Sequence, residues 1–462
     1  MLWTIARKEI HENLISPRFL LLVLLALVFI PSSLYTNYRA YLRRLAEQQQ
    51  IEQRNRDYVR KLSTAQVFTT PNLSFDVYWP PAPAAVFVSG LEEEHPRHLL
   101  VTKHSVEYGA PLDVKQLAGL FGAIDYLFVA QFVFSLFAIL LSFDAITREK
   151  ESGTLRSMLA NPLSRAALAT GKLVGGYAVL GAALVVAFGA GMVLLAATGM
   201  DVLAGEFAAR AGWILAGSLV FIAVFFLMGL LVSSVASTTY TSLVVSLALW
   251  LSAVLVAPRA AALASQLVKP VPSRQTAWLE KLAVKESLER EKGSALEELR
   301  RRVGSVPHED WMRRRAPVAQ VYEERTAQAV RQIEEGWQRR KAEQQSLGLA
   351  LARLSPAGAL VNFATEMAGT GSGVEERFQA QAERYREVLS RELFSKIFWD
   401  SRPGGVSMGT LAPINPAALP EFRLRRPGLA ESFQGTDLAI LLGWFLVLTG
   451  AIYRALERYD VR

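Results

Sequence analysis

The 462-residue chain contains no cysteine. Disulfides, zinc-thiolate sites and thiol nucleophiles are therefore excluded, and any part outside the cytoplasm is held by packing alone. Methionine is sparse, with 8 scattered residues and no Met-rich copper relay. No phosphate-binding loop is present. Gly171-Lys172 has the look of its end, but Ala166 stands where the first glycine belongs and Leu173 replaces Ser or Thr. Nor is there a nucleophile elbow, a zinc-protease motif or a Ser/His/Asp signature. The chain is thus expected not to be an enzyme and not to hydrolyse ATP by itself. Its net charge of +8 comes without any basic motif of a nucleic-acid reader, so no nucleic-acid partner is expected.

What the chain has is apolar length. It is 51% hydrophobic with a mean hydropathy of +0.23, high for a soluble protein and low for one that is all membrane. Six apolar segments approach the ~20 residues needed to cross a ~30 Å hydrocarbon core. They give spans at 18–35, 123–143, 173–199, 212–235, 242–258 and 438–453. No charge lies in the middle of any of them, since Asp125, Asp144, Arg210 and Asp437 sit at edges. Proton- and ion-coupled carriers need ionisable groups inside their spans, so a secondary transporter is disfavoured.

Residues 1–17 read as an interfacial amphipathic helix. Leu2, Ile5, Ile10 and Leu14 share one face, Arg7, Lys8, Glu9 and Glu12 lie elsewhere, and Trp3 suits the headgroup layer. Glu9 and Glu12 fall where a signal peptide needs a basic stretch, so the first span reads as uncleaved.

Two regions outside the spans are long. Residues 36–122 open as helix and reach a break at Trp79-Pro80-Pro81-Ala82-Pro83. Residues 259–437 form a domain-sized, mostly helical region before the last span and the 454–462 tail. Val330, Ile333 and Trp337 make one apolar stripe there, and Phe378, Ala382, Tyr385, Leu389 and Leu393 a cleaner one. Ser372 with Glu375 reads as a capping box. His95, His98 and His104 cluster near Glu92, Glu93 and Glu94, but Pro96 separates the first two, and chance clustering on a polar loop is the reading adopted over a metal site. The fold class is therefore mainly α, a polytopic membrane protein with six transmembrane helices and a large helical extracytoplasmic domain.

The most specific motif lies at 144–172. An apolar run stops abruptly at Asp144 and passes into Ala145-Ile146-Thr147-Arg148-Glu149-Lys150-Glu151-Ser152-Gly153-Thr154-Leu155, then Asn161-Pro162-Leu163-Ser164-Arg165 and Gly171-Lys172. Within the third span, Gly171/Gly175 and Ala178/Ala182 have the small-xxx-small spacing that lets helices approach closely, either within the chain or at a dimer or substrate-path surface.

This segment resembles the coupling segment of ABC-2 type transporter permeases, with its acidic residue, its Glu-x-Gly-Thr-Leu core and its Pro-x-x-Arg turn. The N-terminal helix, the close-set spans and the charged tail extend the likeness over about half the chain. The large insert before the last span also looks like that of a permease subgroup whose relatives are often described as linked to multicopper-enzyme maturation.

The resemblance implies the membrane subunit of an exporter, working as a homodimer or heterodimer with a second permease in the lipid of the cell's inner membrane. It implies a separate nucleotide-binding ATPase subunit that holds ATP and Mg, with no cofactor bound by this chain. It places both termini in the cytoplasm, in line with the Lys/Arg bias of the short loops. Asp144, Arg148, Glu149, Glu151, Gly153, Thr154 and Leu155 would then lie at or near the ATPase contact, with Pro162 and Arg165 ending the segment. Replacing Glu149 and Glu151 by Lys should reduce coupling while leaving folding intact. The outer domain implies an added role, such as an envelope partner. Two other readings stay open: a mechanotransmitter that regulates such a partner without transport, and a membrane-anchored receptor or scaffold without an ATPase.

Overall fold

A computed structural model of the chain describes residues 2–61, 74–90, 98–102, 106–108, 124–159, 164–371, 373–389, 391, 422, 424–433 and 435–458. It is mainly α-helical, and six of its helices are long and apolar enough to cross a membrane.

Helix α1 (Leu2–Ile15) ends in a turn, where the Ser16 hydroxyl accepts from the Phe19 N–H at 3.2 Å. Pro17 then opens α2 (Pro17–Lys61), an arrangement that satisfies one orphan donor and needs no proline N–H. At 45 residues α2 is about 67 Å long, far more than a bilayer core, so the helix carries the first span and continues beyond it. The second span, α3, starts at Asp125, whose carboxylate accepts from the Phe128 N–H at 2.8 Å. It is α-helical over Tyr126–Phe128, π-helical over Val129–Phe134 and α-helical again over Ser135–Ser142.

Two short helices follow, α4 (Thr147–Glu151) and α5 (Thr154–Leu159), then the third and fourth spans α6 (Arg165–Ala197) and α7 (Gly205–Val235). The fifth, α8, is helical over Thr239–Leu251, π-helical over Ser252–Val256 and helical again over Ala257–Val268. In the second and fourth spans 72% of the most apolar stretch is buried, against 17% in the fifth and sixth, so the former pair forms the centre of the bundle and the latter its periphery.

Beyond α8 the chain forms an antiparallel hairpin of α9 (Arg274–Val303) and α10 (His308–Ala352). Lys269 pairs with Glu343 and, further along, Lys281 with Glu334, which fixes the opposed directions. Val330 and Trp337 of the expected stripe are buried, and the Trp337 indole donates to the Pro272 carbonyl at 2.8 Å. The remaining helices are α11 (Pro356–Ala368), α12 (Gly373–Leu389), the short α13 (Leu429–Ser432) and the last span α14 (Gly435–Glu457). Helix α11 is buried on nearly every side, packed between α7 and α14.

The sequence reading of 36–122 as helix and loop omits a sheet. Strands β1 (Ser74–Tyr78), β2 (His98–Thr102) and β3 (Val106–Tyr108) pair antiparallel in chain order, with Tyr78 opposite His98 and Leu99 opposite Tyr108. Each is only three to five residues long, too short for period-two alternation to stand out from a loop. The stripe Phe378, Ala382 and Leu389 of α12 is buried on this sheet, against Phe75, Val77, Leu99 and Val101. His98 lies on β2, while His95, His104, Leu393 and Ser372 lie outside the described residues. Among the described residues no group of His, Asp and Glu is arranged to hold a metal.

The hairpin carries a pH dependence. Burial alone would raise the Glu334 pKa, but hydrogen bonds from Lys281 and Gln338 and the charges of Lys281 and Arg274 outweigh it and hold the carboxyl below its ordinary value. The folded pKa is depressed, so this stabilisation is full above the unfolded value near 4.5 and is lost as pH falls through the folded one. For a pair this close to solvent it amounts to about 0.5–1 kcal/mol. Protection of the α9 amides in the full chain, measured by hydrogen exchange and corrected for the intrinsic pH dependence of exchange, should fall on acidification, and Glu334→Gln should flatten that slope. An unchanged slope would show that the pair does not set it.

Candidate functional site

The polar segment between the second and third spans is bonded to almost every helix that reaches its end of the bundle. Asp144 pairs with Arg18 of α2 at 3.2 Å, and the same guanidinium donates to the Leu140 carbonyl at 2.8 Å. Arg148 reaches Glu12 of α1 at 3.1 Å.

With α7 the bonding is reciprocal. The Ser233 hydroxyl accepts from the N–H groups of Ile146 and Thr147 at 2.9 and 3.0 Å, satisfying donors that the start of α4 leaves unpaired. Lys150 in turn donates to the carbonyls of Ser234 and, at 3.1 Å, Ala236, where α7 ends. Glu151 accepts from the Thr239 N–H and hydroxyl at 2.9 and 2.7 Å, which places a carboxylate at the N-terminus of α8. Arg165 donates to the Leu456 and Glu457 carbonyls at the end of α14.

At the centre lies a buried charge triad. Lys172, only 2% exposed, donates to Glu9 of α1 at 2.7 Å and to Glu149 of α4 at 2.8 Å. Lys8 stands 3.9 Å from the same Glu149 oxygen. The other Glu149 oxygen is buried without a hydrogen-bond partner among the described residues. One ammonium thus holds two carboxylates from separate elements, an arrangement that costs desolvation but fixes register strongly, because losing the cation would leave Glu9 unpaired and Glu149 with only the more distant Lys8.

The glycines of the third span make this possible. A Cβ on Gly175 would lie 2.6 Å from the Ala6 carbonyl oxygen, and one on Gly171 would lie 2.9 Å from the Ile5 side chain. The pair is therefore the seat of α1 on α6. Ala178 and Ala182, the second small pair, are exposed.

Several expectations change at this point. The polar residue Glu9 is on the buried face of α1 with Ile5 and Ala6, whereas Leu2 and Leu14 are exposed. Hydropathy assigned Glu9 to the solvent face, because its partner lies 163 residues away. Charges at the span edges are not simply solvated: Lys172, Arg210 and Asp437 are all buried. Glu149 and Leu155 are turned inward at 7% and 0% exposure, so they hold the segment rather than present it. Reversing the charge of Glu149 is accordingly expected to disturb folding, contrary to the sequence expectation.

The exposed edge consists of Arg148, Glu151, Ser152, Gly153 and Thr154. Gly153 turns it with φ of +72°, a conformation that costs a side chain about 1 kcal/mol or more. Pro162 lies outside the described residues. The signal for the missed triad was in the sequence as a lone Lys early in an apolar helix and a Glu in the N-terminal one, but nothing local joined them.

The chain matches a family model described as an ABC-2 family transporter protein over residues 3–461. It is 34% identical over 128 residues to a probable ABC transporter permease protein NosY of Pseudomonas aeruginosa, an alignment covering 28% of this chain and 46% of that relative. It is 40% identical over 68 residues to the protein of the same description in Stutzerimonas stutzeri, covering 15% of this chain and 25% of that one. The chain thus spans less than half the length of the curated relatives it matches.

Proposed function

The chain belongs to the ABC-2 transporter family and is the membrane subunit of an ABC transporter, and from this premise we propose that it couples ATP hydrolysis in a separate subunit to substrate export. The observation that carries this reading is the exposed edge of Arg148 and Glu151–Thr154, backed by bonds from Asp144 to α2, Arg148 to α1, Glu149 to α6, Lys150 to α7 and Glu151 to α8. A partner pushing on that edge moves a braced unit, not a loop, and packed helices respond by shifting as bodies. The partner supplies the phosphate cradle, ATP and Mg²⁺. In this reading the 144–172 end faces the cytoplasm, both termini are cytoplasmic, the inner membrane is the site, and a second permease, identical or related, completes the pathway.

A second reading also draws on the structure. The fifth span passes through residues 269–273 into the α9–α10 hairpin, and that joint is clamped: Gln344 donates to the Lys269 carbonyl and Lys269 pairs with Glu343 at 2.9 Å. Helix α10, with 45 residues, is about 67 Å long. Movement of the span therefore reaches far beyond the bilayer, which suits a mechanotransmitter acting on an envelope partner.

The test is purification of the chain from its native membrane with whatever ATPase accompanies it, followed by hydrolysis assays on the wild type and on Arg148→Glu/Thr154→Arg. Both residues are exposed, so folding should be unaffected beyond about 1 kcal/mol. Stimulation of the ATPase should fall on the order of tenfold, the effect of a misplaced interfacial charge. Stimulation equal to wild type would remove the coupling role from this edge. Movement of a labelled lipid or peptide across vesicles would then separate export from mechanotransmission.

A further inference from the structure

At the opposite end of α7 from the coupling segment lies a cavity of about 190 Å³, where a single water needs roughly 10–15 Å³. It sits between the Pro-rich turn after β1, the start of α7, the end of α11 and the stretch leading into α13. Four arginines line it, Arg210, Arg377, Arg425 and Arg426, against one carboxylate, Glu206.

These cations are not equally occupied. Arg210 takes up Glu206 at 2.8 Å and donates at 2.7 Å to both the Met367 and Pro427 carbonyls, so it ties the walls together. Arg426 donates to the Pro81 carbonyl at 2.8 Å. Arg425 pairs outside the cavity with Glu431 at 3.1 Å. Arg377 is different. Its Nε and Nη2 atoms are shielded from solvent and have no hydrogen-bond partner among the described residues, and its nearest carboxylate, Glu366, stands 3.8 Å away, beyond hydrogen-bond range. The side chain as a whole is 39% exposed, so the fork can be reached from the cavity mouth, and its unspent Nε and Nη2 donors are matched by an oxyanion, which accepts two parallel N–H bonds.

The lining also has apolar side chains, Trp79, Phe207, Val374 and Leu424, so the ligand has a greasy part as well as a charge. Position agrees. From Arg210 to Ser233, the residue that caps the coupling helix, α7 rises about 35 Å, close to one hydrocarbon thickness of about 30 Å. The cavity therefore lies at the far membrane boundary, at headgroup depth.

We propose that this cavity binds the phosphate or carboxylate oxyanion of an amphiphile, with Arg377 as its principal ligand. Two sources offer that chemistry, a phospholipid headgroup at the boundary and a free soluble anion. The inference stands on the cavity and requires no ATP coupling, so failure of the ATPase test leaves it intact, and the reverse.

The full-length chain would be purified in detergent and placed in nanodiscs of phosphatidylcholine, with or without phosphatidylglycerol, and bound lipid counted by native mass spectrometry. Inorganic phosphate would be titrated in parallel. Selective retention of phosphatidylglycerol, weakened about tenfold or more by Arg377→Gln, would establish the headgroup source. Saturable phosphate binding that competes with the lipid and is equally sensitive to Arg377→Gln would establish the soluble one. Arg377→Lys should recover binding only in part, because Lys keeps the charge and loses the fork. Should Arg377→Gln fail to fold, Leu424→Trp, which narrows the cavity, takes its place and should weaken binding. No selective binding of either probe, or binding indifferent to both variants, would overturn the proposal.

Discussion

Replacing Lys172 by Met is expected to release α1 from the bundle. The substitution removes the one ammonium between Glu9 and Glu149 and leaves both carboxylates in a site where the lysine itself is only 2% exposed. Breaking a buried ion pair by removing one partner costs about 3–5 kcal/mol. The absence of cysteine makes the readout clean. Ile5→Cys introduces a single thiol at a position 9% exposed, packed on Gly171. In the Lys172→Met background, maleimide labelling of that thiol should accelerate on the order of a hundredfold, the rate following the open population. Neutralising the acids as well, with Glu9→Gln and Glu149→Gln, should recover most of the protection, because a neutral core in place of a buried ion pair is often no less stable. Labelling unchanged by Lys172→Met would mean that the triad does not hold α1.

Gly175→Leu should have an effect of similar size by a different route. The first side-chain carbon alone would sit 2.6 Å from the Ala6 carbonyl oxygen and 2.7 Å from the Glu9 Cβ. Backbone cannot yield as a flexible side chain can, so α1 must lift. Even Gly175→Ala should cost about 1–3 kcal/mol of docking, the usual range for overpacking. The sign is decisive. In an open helix, Gly→Ala stabilises by about 1 kcal/mol through helix propensity. A gain in stability in Gly175→Ala would therefore show that α1 is not seated there. Ala178→Leu and Ala182→Leu are the matched controls, since both positions are exposed. They should leave Ile5→Cys protection unchanged.

Both effects feed into coupling. Helix α1 holds Arg148 through Glu12 and holds Glu149 through the Glu9–Lys172 bridge. Without α1 the exposed edge that faces the proposed ATPase loses two of its supports. Lys150 and Glu151 would still tie it to α7 and α8. ATPase stimulation in Lys172→Met and Gly175→Leu should accordingly fall while the spans remain inserted.

Much of this molecule was legible from residue order. Span count, the α-helical class and the location of the specific motif follow from runs of apolar residues and their abrupt ends, which are properties of ~20-residue windows. The stripes at Val330/Trp337 and Phe378/Ala382/Leu389 were visible by the same logic, and these residues are buried. The strands of 74–108 were not, because pairs this short draw their stability from the α12 face that covers them.

What the sequence by itself determined is where the chain can enter a bilayer, that it carries no thiol or phosphate-loop chemistry, and that 144–172 is the polar break worth attention. Tertiary structure alone decided which of the charges in that break are partners and which are presented. Glu149 and Lys172 are 23 residues apart, Lys172 and Glu9 163, and Lys150 and Ser234 84. Periodicity reports which face of a helix is apolar, but an ion pair is a property of two faces meeting. A carboxylate reads the same in sequence whether water or a buried lysine awaits it.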